Sequence, residues 1–444
     1  MSAPDEQDAP DAGFGEASRY AAHIDRGWAL LDKGELSAAR TSVAHAQDVR
    51  PDEPDAALLL GAIALGEGNA NEALRCYERA IELDPEYLEP YAAAAAVCLY
   101  DLDEPLRGLR YVSDALELEE LAPLEALDLN LLAAECELAS DDVIGARDRL
   151  RELGGMDVLH LALELRSSGA EPGGDDAASK LGDATTRAAA WEFLAFDPEG
   201  EPLEDEERAE RGQRAIALAL RAAQLWIDAD LVEPARTLLR RVVGWFPRDA
   251  EAWSLLAEVE FRTGAPLEAA RAGLRTVELD AEVPLPDWTP STAVVHRRVV
   301  GTISSCGDPL LASLMDGPGA PAILVRDLPP SELVLEGVSP RVTVIATASR
   351  GADGPGAEPP ELTGLAVYRK NIARLVRDTE AFDDELRLCV LEELAGFFAL
   401  PTRARRNLGL DPIEAPMRAL PDRADDTLVE SKPPRRKGPR KRKD

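Results

Sequence analysis

The sequence predicts an α-helical solenoid in two blocks followed by a small α+β domain. Three observations carry that reading. A 34-residue period of small, aromatic and proline positions runs through the first part of the chain. The same internal spacing returns after an acidic, glycine-rich interruption. From about Ser291 the helical period gives way to β-branched runs separated by Pro and Gly.

The clearest unit lies between Ala57 and Pro85. Gly61, Ala64, Gly68, Ala73, Tyr77, Ala80 and Pro85 stand at fixed offsets within it. Two antiparallel helices that cross closely admit only Gly or Ala at the crossing, so Gly61, Ala73 and Ala80 read as contact points. Tyr77 fills the space between them and Pro85 ends the second helix. This spacing resembles the tetratricopeptide repeat, a 34-residue helix–turn–helix unit. One such unit cannot bury its own apolar face, so neighbours must stack on it. Gly27, Gly34, Ala39, Ala46 and Pro51 repeat the pattern 34 positions earlier, with Val43 in the aromatic place and a less well-filled gap expected there. A third unit starts near Pro90, with Tyr91, Ala95, Gly108, Val112 and Ala115. A fourth carries Ala134, Ala146 and Leu150.

Residues 1–18 are polar and acidic and read as a disordered N-terminus; 19–165 form the first helical block. Residues 166–211 read as a flexible acidic linker region, containing SSGAEPGGDDAASKLGDATT and PEGEPLEDEERAE. Between those two stretches, Trp191, Phe193 and Leu194 are suited to dock on a neighbouring core. The second block spans 212–280, where Ala223, Ala235, Leu239, Val242 and Pro247 are followed by Trp253, Ala257, Gly264 and Ala269.

Stacked repeats present a concave face lined by their first helices, and such faces hold extended or helical peptides. The repeat pattern puts Ile24, Trp28, Leu58, Ala62 and Leu65 on that face. Packing between repeats is the competing role for each of them. The Lys and Asn positions with which one subclass of the family grips a C-terminal carboxylate are not present. The implied partner is a protein or peptide.

In the C-terminal domain, 291–412, strands are expected at Ala322–Arg326, 342–349 and Leu365–Tyr368. Helices are expected over 292–304 and from Asp383 to Leu400, the latter capped by Asp383 and Asp384. The order ILVRDLPPSEL, LAVYRKNI, ELRLCVLEELAGFFAL resembles the small zincin-like metallopeptidases. Their helix reads His-Glu-x-x-His, which sets two imidazoles on one Zn²⁺ and a Glu beside the bound water. Here the two ligand positions hold Glu392 and Gly396, the general-base position holds Glu393, and Thr402 stands near the place of a third ligand. The four His are His23, His45, His160 and His296, and only the last lies in this domain. The resemblance therefore implies a catalytically inactive domain without zinc or another cofactor. A divergent metallopeptidase using Glu393 as general base is the alternative.

The chain has 444 residues and a net charge of −34. Lys432–Asp444 carry eight cations and one Asp, so the rest of the chain carries −41. That charge repels nucleic acid over most of the surface. The region 413–444 reads as a disordered tail, basic at 432–444. It is a nucleic-acid tether, a clamp onto the acidic body or a solvated tail. Cys76, Cys98, Cys136, Cys306 and Cys389 show no paired spacing, which suits a reducing compartment. No signal peptide, anchor or apolar run of spanning length is seen, so a cytoplasmic protein without membrane contact is expected.

Overall fold

The computed structural model describes residues 11–119, 121–169, 183–196, 200, 202–316, 319–349 and 361–410. The chain divides into two units, Met1–Gly264 and Ala265–Asp444.

The first unit begins with helical hairpins. They are α1 (Asp11–Asp32) with α2 (Leu36–Val49), α3 (Pro54–Gly66) with α4 (Ala70–Leu83), α5 (Leu88–Tyr100) with α6 (Pro105–Ala115), and α7 (Pro123–Ala139) with α8 (Val143–Arg151). Helix α1 takes in residues 11–18, which the sequence reading left outside the repeats; the other residues of that predicted N-terminus lie outside the described ones. The close crossing is real at Gly61, where an added Cβ would lie 2.3 Å from the Tyr77 ring. At Gly27 the space left by Val43 is taken by the next repeat: an added Cβ would lie 2.6 Å from Leu59 Cδ2 and 3.6 Å from Val43. The turn inside each hairpin needs one left-handed residue. Gly34 and Gly68 supply it in the first two repeats, with φ of 74° and 78°. Asp103, Asp141 and Asp230 supply it later, with φ of 54°, 62° and 58°. Asp reaches this region because its short polar side chain can bond locally.

The array then becomes irregular. Helix α9 (Met156–Ser168) is buried on several sides through Val158, Leu159, Leu161, Ala162, Leu163 and Leu165. Helix α10 (Ala184–Ala195) packs on it, and α11 (Asp205–Asp228) follows. The predicted flexible linker, 166–211, is therefore helical over much of its length; residues 170–182 lie outside the described ones. The reason is local. Asp183 accepts the Thr185 and Thr186 N–H groups as an N-cap. Asp205, Glu206 and Glu207 occupy the first turn of α11, where the helix dipole favours negative charge, so this acidic run starts a helix. Trp191 and Phe193 lie on α10; Leu194 is buried there. Helices α12 (Val232–Trp245) and α13 (Ala250–Arg262) complete the unit. They are tied by Glu260, whose carboxylate takes Arg236 at 2.8 Å and Arg240 at 2.7 Å.

The second unit opens with α14 (Pro266–Glu282), which the sequence reading assigned to the second repeat block. Gly273 stands where Tyr77 stands in the clear repeat. An added Cβ there would lie 2.8 Å from Val334 on α17 (Ser331–Leu335). The missing aromatic lets α14 pack on α17 instead. Asp280, fully buried, is gripped by Arg374 and lies 3.6 Å from Arg341.

A three-stranded sheet in the order β1-β3-β2 forms the centre, with β1 (Ala322–Arg326) parallel to β3 (Leu362–Tyr368) and β2 (Val344–Ala348) antiparallel to it. One face packs on α15 (Thr292–Ser305), α16 (Pro309–Ser313) and α19 (Thr379–Phe397); the other, through Ile345, Ala366 and Tyr368, meets Leu333, Val338 and Val342. Helix α18 (Arg369–Ala373) follows β3 and α20 (Thr402–Asn407) closes the described part. Helix α19 begins four residues before the expected start. Asp378 caps it by accepting the Ala381 N–H, while Asp383 pairs with Arg298.

Candidate functional site

Two places were expected to carry function, and the structure treats them differently. On the repeat array, Ile24 is 8% exposed and belongs to the core formed with Tyr20, Val43 and Leu59, so packing claims it. Trp28 is half-buried against the same core. Leu58 and Leu65 are half-buried against the next cluster, which contains Ala64, Leu74 and Tyr77, and Ala62 is half-buried beside them. Trp28, Leu58, Ala62 and Leu65 thus keep partly open surface, and Ile24 does not.

Sequence reasoning missed a polar network farther along. Arg221 on α11 donates from Nε and Nη2 to Glu135 on α7, at 2.7 Å each, and from Nη1 to Asp128 at 2.5 Å. Arg214 adds a bond to Asp128 at 3.2 Å. The Tyr100 hydroxyl at the end of α5 donates to Glu135 while the residue stays 63% exposed. Three first helices are linked on one side of the array. The available signal was spacing: Asp128 and Glu135, like Arg214 and Arg221, stand seven residues apart and share a helix face.

In the second unit, α19 and the sheet position Glu393. Residues 343 and 349 bond to β3 and its approach, so the Ala346 N–H points away from the sheet at the outer edge of β2. Glu393 Oε1 accepts that N–H at 2.6 Å. Burial raises the Glu393 pKa and the Ala346 bond opposes the shift. Glu392 is half-buried and Gly396 is exposed, with nothing within 4 Å of an added Cβ. Thr402 is the exposed first residue of α20, and His296 is exposed on α15. No three His, Cys, Asp or Glu gather in metal-binding geometry among the described residues. The two positions that the sequence resemblance aligns with zinc ligands hold one carboxylate and a glycine, a donor set that does not fit zinc.

The tetratricopeptide repeat family profile matches residues 24–88 and 232–284. Over these residues the chain carries tetratricopeptide repeats. Repeats of this kind mediate contact between proteins. The second match runs through α14, so the sequence periodicity crosses the boundary between the two units. No curated protein matches the chain. Among solved structures it is similar to pilF of Pseudomonas aeruginosa, with 14% identity, 61% of this chain and 95% of that one covered, and a TM-score of 0.39. It is similar to PilW, a widely conserved type IV pilus biogenesis factor, with 13% identity, 60% and 95% covered, and a TM-score of 0.38. It is also similar to YrrB, a TPR protein with an unusual peptide-binding site, with 10% identity, 54% and 93% covered, and a TM-score of 0.33. No helix among the described residues is long and apolar enough to cross a membrane. The basic residues 432–444 lie outside the described ones.

Proposed function

We propose that this protein is a repeat scaffold that binds a protein or peptide along its first helices and carries a catalytically inactive peptidase-like domain. The observation that carries the second half is the pair of aligned ligand positions: a half-buried Glu392 and an exposed Gly396 supply one carboxylate and no imidazole where the resemblance would need two His. Metal analysis of the purified chain tests it; stoichiometric zinc with chelator-sensitive peptide cleavage would end it. The frame itself is tested by Glu392→His with Gly396→His. Gly396 has room for a side chain; any helix with His at i and i+4 can take up Zn²⁺, so the discriminating result is Zn²⁺-dependent peptide cleavage, expected of a peptidase frame with Glu393 beside the metal and not of an unrelated helix.

A second reading, a divergent metallopeptidase, is favoured by the burial that raises the Glu393 pKa, since a general base works best near the ambient pH. It requires a measurable hydrolysis that Glu393→Gln abolishes. The first reading stands better because Glu392 and Gly396 leave no pair of imidazoles to hold the metal whose water such a base would activate.

A further inference from the structure

We propose that Tyr100 anchors a basic side chain of an extended peptide bound along the first helices, a deepening that rests on the scaffold reading above. Four features of one place support it. The residue is 63% exposed, yet its hydroxyl is fixed by Glu135, so an aromatic side chain is held open with little rotameric freedom to lose on binding. On the same face of α5, one and two turns back, Ala96 and Ala92 are half-buried small residues that leave room for a backbone beside the ring. The cationic member of the network cannot receive an anion, because all three nitrogens of Arg221 already donate to carboxylates and Arg214 is on Asp128. Glu135 and Asp128 are matched by Arg221 and Arg214, so the surplus charge is acidic: Asp101 and Asp103, both exposed, follow the ring in the turn. An aromatic face beside carboxylates selects a guanidinium or ammonium, by cation–π attraction and by charge. The purely structural reading of the network accounts for Glu135 and Arg221 as ties between helices, but it gives no reason for an exposed ring.

The test uses the full chain and three fluorescent 12-residue peptides: alternating Ala-Arg, Ala-Glu and Ala-Ser. The Ala-Arg peptide is expected to bind with an affinity that falls as salt rises. Tyr100→Ala should weaken it about tenfold. Tyr100→Phe, which keeps the ring but frees it from Glu135, should weaken it by less than Tyr100→Ala does. Equal binding of Ala-Arg and Ala-Glu peptides, or Ala-Arg binding indifferent to Tyr100→Ala, overturns the proposal. Trp28→Ala separates the two levels. If the Ala-Ser peptide binds and loses affinity in Trp28→Ala but not in Tyr100→Ala, the groove stands and the basic anchor falls. If no peptide binds, both fall.

Discussion

At the scale of single residues, buried carboxylates are the informative groups because their surroundings push them in opposite directions. Burial would raise the Glu260 pKa, but hydrogen bonds from Arg236 and Arg240 outweigh it and the net shift is downward. A carboxylate held below its usual range stabilises the fold above that range and loses this contribution as pH falls through the folded-state value. Glu260→Ala should therefore cost about 3 kcal/mol near neutral pH, with the difference from wild type shrinking in acid, measured by urea unfolding across pH. Glu393 has the opposite sign. Its raised pKa makes the folded state gain stability as pH falls through it, so Glu393→Gln should raise the Tm at neutral pH and flatten its dependence on acid. A lower neutral Tm would show that the charged bond to Ala346 outweighs its desolvation. At Gly61 the ring of Tyr77 blocks any side chain, and Gly61→Ala should cost about 1–3 kcal/mol by overpacking. Gly61 and Tyr77 were legible in the sequence because each is dictated by a contact inside one repeat. The left-handed Asp103, Asp141 and Asp230 were not, since Asp is common in exposed turns for several other reasons.

At the scale of elements, the sheet was legible to within a few residues because β-branched runs between Pro and Gly have few other uses. The start of α19 was misread because three acidic residues competed for the capping role; Asp383 is drawn away by Arg298. The segment Tyr368–Arg374 shows what a motif does in place. Lys370 donates to the Val283 carbonyl, Arg369 to that of Pro290 at 3.0 Å, and Asn371 to those of Pro340 and Val342 at 3.1 and 2.8 Å. With Arg374 on Asp280, these bonds fasten α14 and the stretch after it to the sheet domain. Arg374→Ala takes the closest cation from the buried Asp280 carboxylate, leaving Arg341 at 3.6 Å and Lys370 nearby, and should cost about 3 kcal/mol, read as a lower urea midpoint. None of this is visible in the sequence, because Asp280 and Arg374 lie far apart in it and each looks like an ordinary surface charge.

At the scale of the whole molecule, the net charge of −34 dominates. Many surface ion pairs, such as Arg79–Glu82 and Arg271–Glu268, are short-range and exposed, so each contributes little. Self-repulsion should outweigh them, and adding NaCl from about 0.02 to 0.5 M should raise the Tm by screening it. A falling Tm would show that paired surface charges stabilise the fold more than their excess strains it. The repeat class of the first unit was legible from periodicity alone. The division of the second block was not, although Gly273 in the aromatic place was the available signal.

The anchorage of Asp280 has a practical consequence for anyone dividing the gene. A cut at residue 291, where the composition changes, would deliver a C-terminal fragment in which Arg374 and Arg341 have lost their counter-ion and Val334 has lost the smooth groove at Gly273. Such a fragment should be insoluble, whereas one opening at Ala265 should not.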